Sequence, residues 1–140
     1  MIGFLKGAAL GMAIGASLMI LGGATTSHQL GRIIHHESRN NPNAVGDQGR
    51  SLGLAQISYP YYVDSRKTMA KYGITPPPYH EAVKSRYWSE QLIRFYMIRY
   101  VPKAWAAGDL QTIARIHNGG LNGLKKPATE RYWIQIKNSK

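Results

Sequence analysis

Glu37 is the residue best placed to do chemistry. Leu30, Ile33, Ile34 and Glu37 recur at i, i+3, i+4 and i+7, so one helical face carries three aliphatic side chains and then a carboxyl group. A carboxylate there sheds hydration, and the partial negative charge of a nearby helix C-terminus further opposes ionisation. That setting suits a general acid, which holds a proton near neutral pH and gives it up during reaction. His35 and His36 stand beside it but do not form a metal site. Adjacent helical residues point in different directions, and the chain has no His-x-x-x-His pair. His117 closes a second apolar stripe of Leu110, Ile113 and Ala114, and reads either as a ligand contact or as a buried, hydrogen-bonded histidine. Asp64, Glu81, Glu90, Asp109 and Glu130 fall in helical or capping contexts and are read as solvated or capping groups.

Elements must hold these residues. Thr26 with Gln29 has the pattern of a capping box and opens a first helix that runs to about Arg39, stopping before Asn40-Asn41-Pro42. Glu37 then lies in its last turn. Gly46, Asp47 and Gly49 predict turns over residues 45–51, and residues 52–58 predict a short strand or extended segment, together a cleft wall. Residues 64–72 predict a short helix ended by Gly73, before a stiff connector at Pro76-Pro77-Pro78. Residues 80–101 predict one long helix with Val83, Tyr87, Trp88, Leu92, Phe95 and Tyr96 as its apolar stripe. Asp109 caps a helix ending at Asn118-Gly119-Gly120, and a last helix over residues 128–137 carries Tyr132, Trp133 and Ile136. The expected class is mainly α (α+β), with a small β-like insertion after the Glu37 helix.

With 140 residues there is room for one domain, assigned to residues 27–140. Residues 1–26 read as a signal peptide or a transmembrane anchor. After Lys6 no charge occurs until well past Ala24, and Gly22-Gly23-Ala24 offers small residues for cleavage. Gly3, Gly7, Gly11 and Gly15 would form a smooth ridge on one face of a hydrophobic helix, as membrane helices use for close packing. Eighteen Lys and Arg against seven Asp and Glu imply an anionic partner, a membrane surface or cell wall, and no motif points to nucleic acid. Without cysteine, neither disulfides nor thiolate metal sites can hold the fold.

Two motifs then carry a family resemblance. Glu37-Ser38, Asn41-Pro42-x-Ala44 and Gly53-x-x-Gln56-Ile57 resemble the signature of soluble-type lytic transglycosylases. Ala114-Arg115-Ile116-His117-Asn118-Gly119-Gly120, followed by Gly123 and Ala128-Thr129-x-x-Tyr132-Trp133, resembles invertebrate-type lysozymes. The resemblance implies a lysozyme-like fold that cleaves peptidoglycan between N-acetylmuramic acid and N-acetylglucosamine, with no cofactor or metal. On it, Glu37 is the catalytic acid, while Ser51, Gln56, His117, Asn118 and Tyr132 are substrate-binding or flank the acid. Asp47 is the candidate second carboxylate, and its alternative is an Asx turn between Gly46 and Gly49. If Asp47 takes part, hydrolysis follows. If it does not, Glu37 works alone, the substrate acetamido group attacks, and a 1,6-anhydro product forms. Trp88, Trp105 and Trp133 are candidates to stack on sugars or to fill the core.

The resemblance fits imperfectly. Arg39, Leu52 and Leu124 stand at or beside positions where invertebrate-type lysozymes tend to have cysteine, which points to a bacterial or bacteriophage member exported to the periplasm or envelope. The rival expectation is a membrane-anchored component of an envelope-spanning or virion assembly, in which the domain binds glycan strands without catalysis.

Overall fold

A computed structural model describes residues 24–139. The hydrophobic helix and glycine ridge expected before residue 24 lie outside the described residues. Helix α1, Ser27–Ser38, begins with both halves of the capping box. The Gln29 amide donates to Thr26 Oγ1 at 3.2 Å, and the Thr26 amide donates to Gln29 Oε1 at 2.9 Å. It ends where Arg39 enters the left-handed region at φ 53° and returns its amide to His35 O. Leu30, Ile33 and Ile34 are buried, so the apolar stripe faces the core and Glu37 follows from the same face.

After α1 the chain makes a three-stranded antiparallel sheet: β1 Val45–Gly46, β2 Ser51–Leu52 and β3 Ile57–Ser58, in that order. Val45 pairs with Leu52, and Leu52 with Ile57. A one-turn 3-10 segment, Asp47–Gly49, joins β1 to β2. Residues 52–58, expected as a single extended segment, instead hold a chain reversal. Gly53 sits at φ 78° and Gln56 at φ 52°, a backbone that a sequence of mostly apolar residues does not announce. Gly53 is required there twice over, because a Cβ would also collide with the Val83 carbonyl, which accepts the Leu54 amide at 3.0 Å.

The remainder is helical. Helix α2, Tyr59–Ala70, starts five residues before the expected position: Ser58 Oγ caps the Tyr61 amide and Pro60 occupies the first turn. The long helix expected over residues 80–101 is two, α3 Tyr79–Ala82 and α4 Arg86–Tyr100. Ser85 breaks the run by capping the Trp88 amide at 3.2 Å. Tyr87, expected in the stripe, is 62% exposed, whereas Leu92, Ile93, Phe95 and Met97 of α4 are fully buried and form the centre of the core. Helix α5, Pro102–Ala107, was not expected. It buries Trp105, 1% exposed under the Arg94 guanidinium, so Trp105 is a core residue and not a sugar platform.

Asp109 opens α6, Leu110–Gly119, by accepting the Thr112 amide at 3.1 Å. A 3-10 segment, Gly120–Lys125, leads to α7, Pro127–Asn138. Arg32 of α1 donates to Ile136 O at 2.7 Å and Lys137 O at 3.0 Å, satisfying carbonyls at the C-terminal end of α7 and locking it against α1. Two acids expected as solvated or capping groups are instead half-buried and paired: Glu90 with Arg86 at 2.6 Å, and Asp64, which accepts from Tyr100 Oη at 2.7 Å.

Gly53→Ala is expected to destabilise the fold by about 2 kcal/mol or more, since left-handed strain and a backbone clash add. Denaturant unfolding checks this; a loss below about 0.5 kcal/mol would contradict the stated contact.

Candidate active site

The end of α1, the β-hairpin, the start of α2 and the end of α6 enclose a cavity of about 390 Å³. It is lined by Glu37, Asp47, Arg50, Ser51, Gln56, Ser58, Tyr61, His117 and Asn118. Every site residue expected from sequence lines this cavity except Tyr132, which stands behind Glu37.

Glu37 enters from the last turn of α1 with its side chain 16% exposed. Tyr132 Oη donates to Glu37 Oε1 at 2.6 Å. Burial, then the charge of Glu37 and this hydrogen bond, hold the Tyr132 phenol well above its ordinary range. Tyr132 is therefore a permanent donor that fixes one carboxyl oxygen and leaves Oε2 for other work. His36 packs edge-on against the Tyr132 ring at 4.9 Å.

His117 is fully engaged. Ala55 O can only accept, so Nε2 carries the hydrogen and donates to it at 2.9 Å, while Nδ1 accepts from Tyr61 Oη at 3.0 Å. Burial lowers the imidazole from its ordinary range, outweighing the opposing charge of Glu37 and the Ala55 bond. The 3.8 Å approach of Nε2 to Glu37 Oε1 is thus a neutral contact and not an ion pair. Of the two sequence readings of His117, the geometry matches the buried, hydrogen-bonded one, at the wall of the cavity. Tyr61, whose phenol is raised by burial and then by Tyr96 and Glu37, stacks on Tyr96 at 3.8 Å and 7°.

Asp47 reaches the cavity from the 3-10 turn at φ 50°. Its Oδ2 accepts from Ser51 Oγ at 2.6 Å, four residues on across the turn, where an Asx turn would engage the amide two residues on. Ser51 is thereby committed to orienting Asp47. Arg50 Nε donates to Asp47 O at 3.0 Å, holding the same turn closed. Gln56 spends both amide hydrogens on Ala44 O and Gly53 O, at 3.1 and 3.0 Å, so only Oε1 is left to accept from a ligand. Asn118 is exposed at the lip, with its side chain open to the cavity. Trp88 and Trp133 pack partly buried against the core and do not line the cavity. Among the described residues no group of three His, Asp or Glu gathers as a cation would require.

Sequence reasoning missed Tyr61, Arg50 and Ser58. Tyr61 carried a usable signal. Ser58 followed by Pro60 marks a helix start, which places Tyr61 in the first turn, pointing back at whatever precedes the helix.

Residues 26–139 match the Destabilase family, and the chain belongs to it. The fold is lysozyme-like. The chain is similar to the lysozyme of Ostrea edulis, 34% identical over 92 residues, which cover 64% of this chain and 62% of that protein. It is also similar to the lysozyme of Magallana gigas, 31% identical over 86 residues covering 61% and 58%. The matched region thus spans about three fifths of the length of these curated relatives. Among solved structures, inhibitor-bound lysozyme from Meretrix lusoria superposes with a TM-score of 0.67 at 30% identity, covering 84% of this chain and 93% of that one. Tapes japonica lysozyme gives 0.68 at 26% identity, covering 83% and 91%. These relatives are bivalve lysozymes. They give no support to the expected bacterial or bacteriophage origin, nor to the transglycosylase side of the resemblance. Lack of cysteine constrains how a fold is held, not where it comes from. Among the described residues no helix is long and apolar enough to cross a membrane.

The lowered His117 sets a pH dependence. The unfolded chain takes up a proton there below about pH 6.5 while the folded one does not, so stability is present above that pH and lost as pH falls, by at most about 1.4 kcal/mol per unit. His117→Gln lacks this loss. The stability gap between the native protein and His117→Gln is expected to narrow from pH 7 to pH 5; parallel curves in urea melts would contradict it.

Proposed function

We propose that this chain is a muramidase that hydrolyses the bond between N-acetylmuramic acid and N-acetylglucosamine in peptidoglycan. The observation that carries this reading is a pair of carboxyl groups from different elements lining one cavity, Glu37 fixed by Tyr132 and Asp47 fixed by Ser51. Membership of the Destabilase family and the similarity to lysozymes support it.

In this account Glu37 is the general acid. With Oε1 held by Tyr132, a proton on Oε2 passes to the glycosidic oxygen as the bond to the anomeric carbon breaks. Positive charge develops on the sugar ring, and Asp47 supplies the facing negative charge. Water then completes the anomeric carbon and returns its proton to Glu37, leaving a reducing end. Gln56 Oε1 and the Asn118 amide are the groups with capacity left to bind sugar amides and hydroxyls. Ser51, His117 and Tyr132 act through the groups they hold. Lytic transglycosylation would need Asp47 to be idle, and its place at the cavity beside a dedicated serine argues for hydrolysis. The excess of basic residues would hold the protein on an anionic wall. Residues 1–26 we read as the export signal or anchor that takes it there, tested by the N-terminal sequence of the mature protein.

Turnover of purified peptidoglycan tests the assignment. Glu37→Gln is expected to lower kcat by about 10²-fold or more, and Asp47→Asn similarly. Tyr132→Phe is expected to lower kcat about 10-fold with KM little changed, the cost of one charge-assisted hydrogen bond. Full activity in Glu37→Gln would overturn the proposal, and glycan binding without turnover by the unaltered protein would favour the assembly reading.

A further inference from the structure

The cavity does not end at Tyr61. A second cavity of about 220 Å³ continues from it past Ser58, Tyr61, His117 and Asn118, which line both, to Pro60, Asp64, Tyr96 and Gly120. Two features of this extension are unexplained by the chemistry at Glu37 and Asp47.

The first is a hydroxyl that has no protein partner and opens to the extension. Tyr96 is 7% exposed and lines the extension, yet among the described residues its Oη makes no hydrogen bond, unlike Tyr61, Tyr62, Tyr79, Tyr100 and Tyr132. Burial, followed by Tyr100 and Asp64, pushes its phenol up to about 12, so it stays neutral and can donate or accept. A hydroxyl at the cavity wall with no protein partner is available to a ligand atom.

The second is the sign of the charge. Of seven acidic residues in the chain, Glu37, Asp47 and Asp64 line the two cavities; among the described Lys and Arg residues, Arg50 alone does. A strongly basic protein therefore carries an acidic groove, and the positive field that draws it to an anionic polymer reverses where the polymer would be held. Asp64 is half-buried, with Oδ2 turned to Tyr100 Oη at 2.7 Å and Oδ1 left over. A carboxylate with a free oxygen and a neutral hydroxyl on the same cavity is a poor host for an anion and a good one for an ammonium group.

We propose that the extension is a subsite for a primary ammonium group carried by the polymer, bound between Asp64 and the Tyr96 hydroxyl. This rests on reading the main cavity as a glycan site. Two parts of a cell-wall polymer present that chemistry: a glucosamine that has lost its acetyl group, and the side-chain amine of a diamino residue in a stem peptide.

Calorimetric binding needs no turnover and separates the two. The probes are a fully acetylated chitotetraose against the same oligomer partly deacetylated, and a lysine-containing stem peptide with its ε-amine free against acetylated, at about 0.15 M salt. In one pair or the other the amine form is expected to bind about 5-fold more tightly, equivalent to a partly buried ion pair, and the preferring pair identifies the source. Asp64→Asn, which can still accept from Tyr100, is expected to bring that ratio to about 1, with Tyr96→Phe reducing it. Equal binding of both forms in both pairs, or a preference that survives Asp64→Asn, overturns the subsite. If acetylated oligomer does not bind but the peptide preference persists and needs Asp64, the glycan reading fails and the ammonium site stands.

Discussion

A single neutral imidazole holds the site together. His117, at the end of α6, donates to Ala55 O in the hairpin and accepts from Tyr61 at the start of α2, and its ring lies 3.8 Å from the Glu37 carboxyl at the end of α1. Three separate stretches of the sequence, the end of α1, the hairpin with the start of α2, and the end of α6, thus meet at a side chain with no spare hydrogen-bonding capacity. The imidazole can do this only while uncharged, because Nδ1 must accept. Burial keeps it so. Removing the ring would strand Ala55 O and Tyr61 Oη in the interior, each at a cost of about 1–3 kcal/mol.

Around that point the carboxyl groups are held by neutral hydroxyls. Tyr132 grips Glu37 and Ser51 grips Asp47, each at 2.6 Å. Phenols raised by burial and by the nearby charge of Glu37 cannot compete for that charge by ionising; they remain donors throughout the working range. Orientation is thereby fixed without introducing a cation beside the acid. Arg50, among the described residues the one Lys or Arg lining the cavity, has its Nε committed to the Asp47 carbonyl.

The helical frame around the site was largely legible in the sequence. The capping box at Thr26, the cap at Asp109 and the two apolar stripes ending at Glu37 and His117 are local signals, and local signals survive into the fold. What failed was of two kinds. Caps inside apolar or aromatic stretches were overlooked, so Ser58 and Ser85 changed the boundaries of α2 and α4. The left-handed backbone at Gln56 gave no warning, because tertiary contacts impose it. Site residues inside motifs could be named in advance; Tyr61 was signalled only by the overlooked cap at Ser58, and Arg50 not at all, since its place follows from how the hairpin turns. The origin read from the absence of cysteine found no support among the relatives, since cysteine count speaks to cross-linking alone.

The account rests on two carboxyl groups acting across one bond, with water as the final acceptor. Mass spectrometry of muropeptides released from purified peptidoglycan, with Glu37→Gln as control, tests it most directly. Reducing ends from the unaltered protein and none from Glu37→Gln are predicted. Anhydro ends, one water lighter, would contradict it and reduce Asp47 to a residue that shapes the turn.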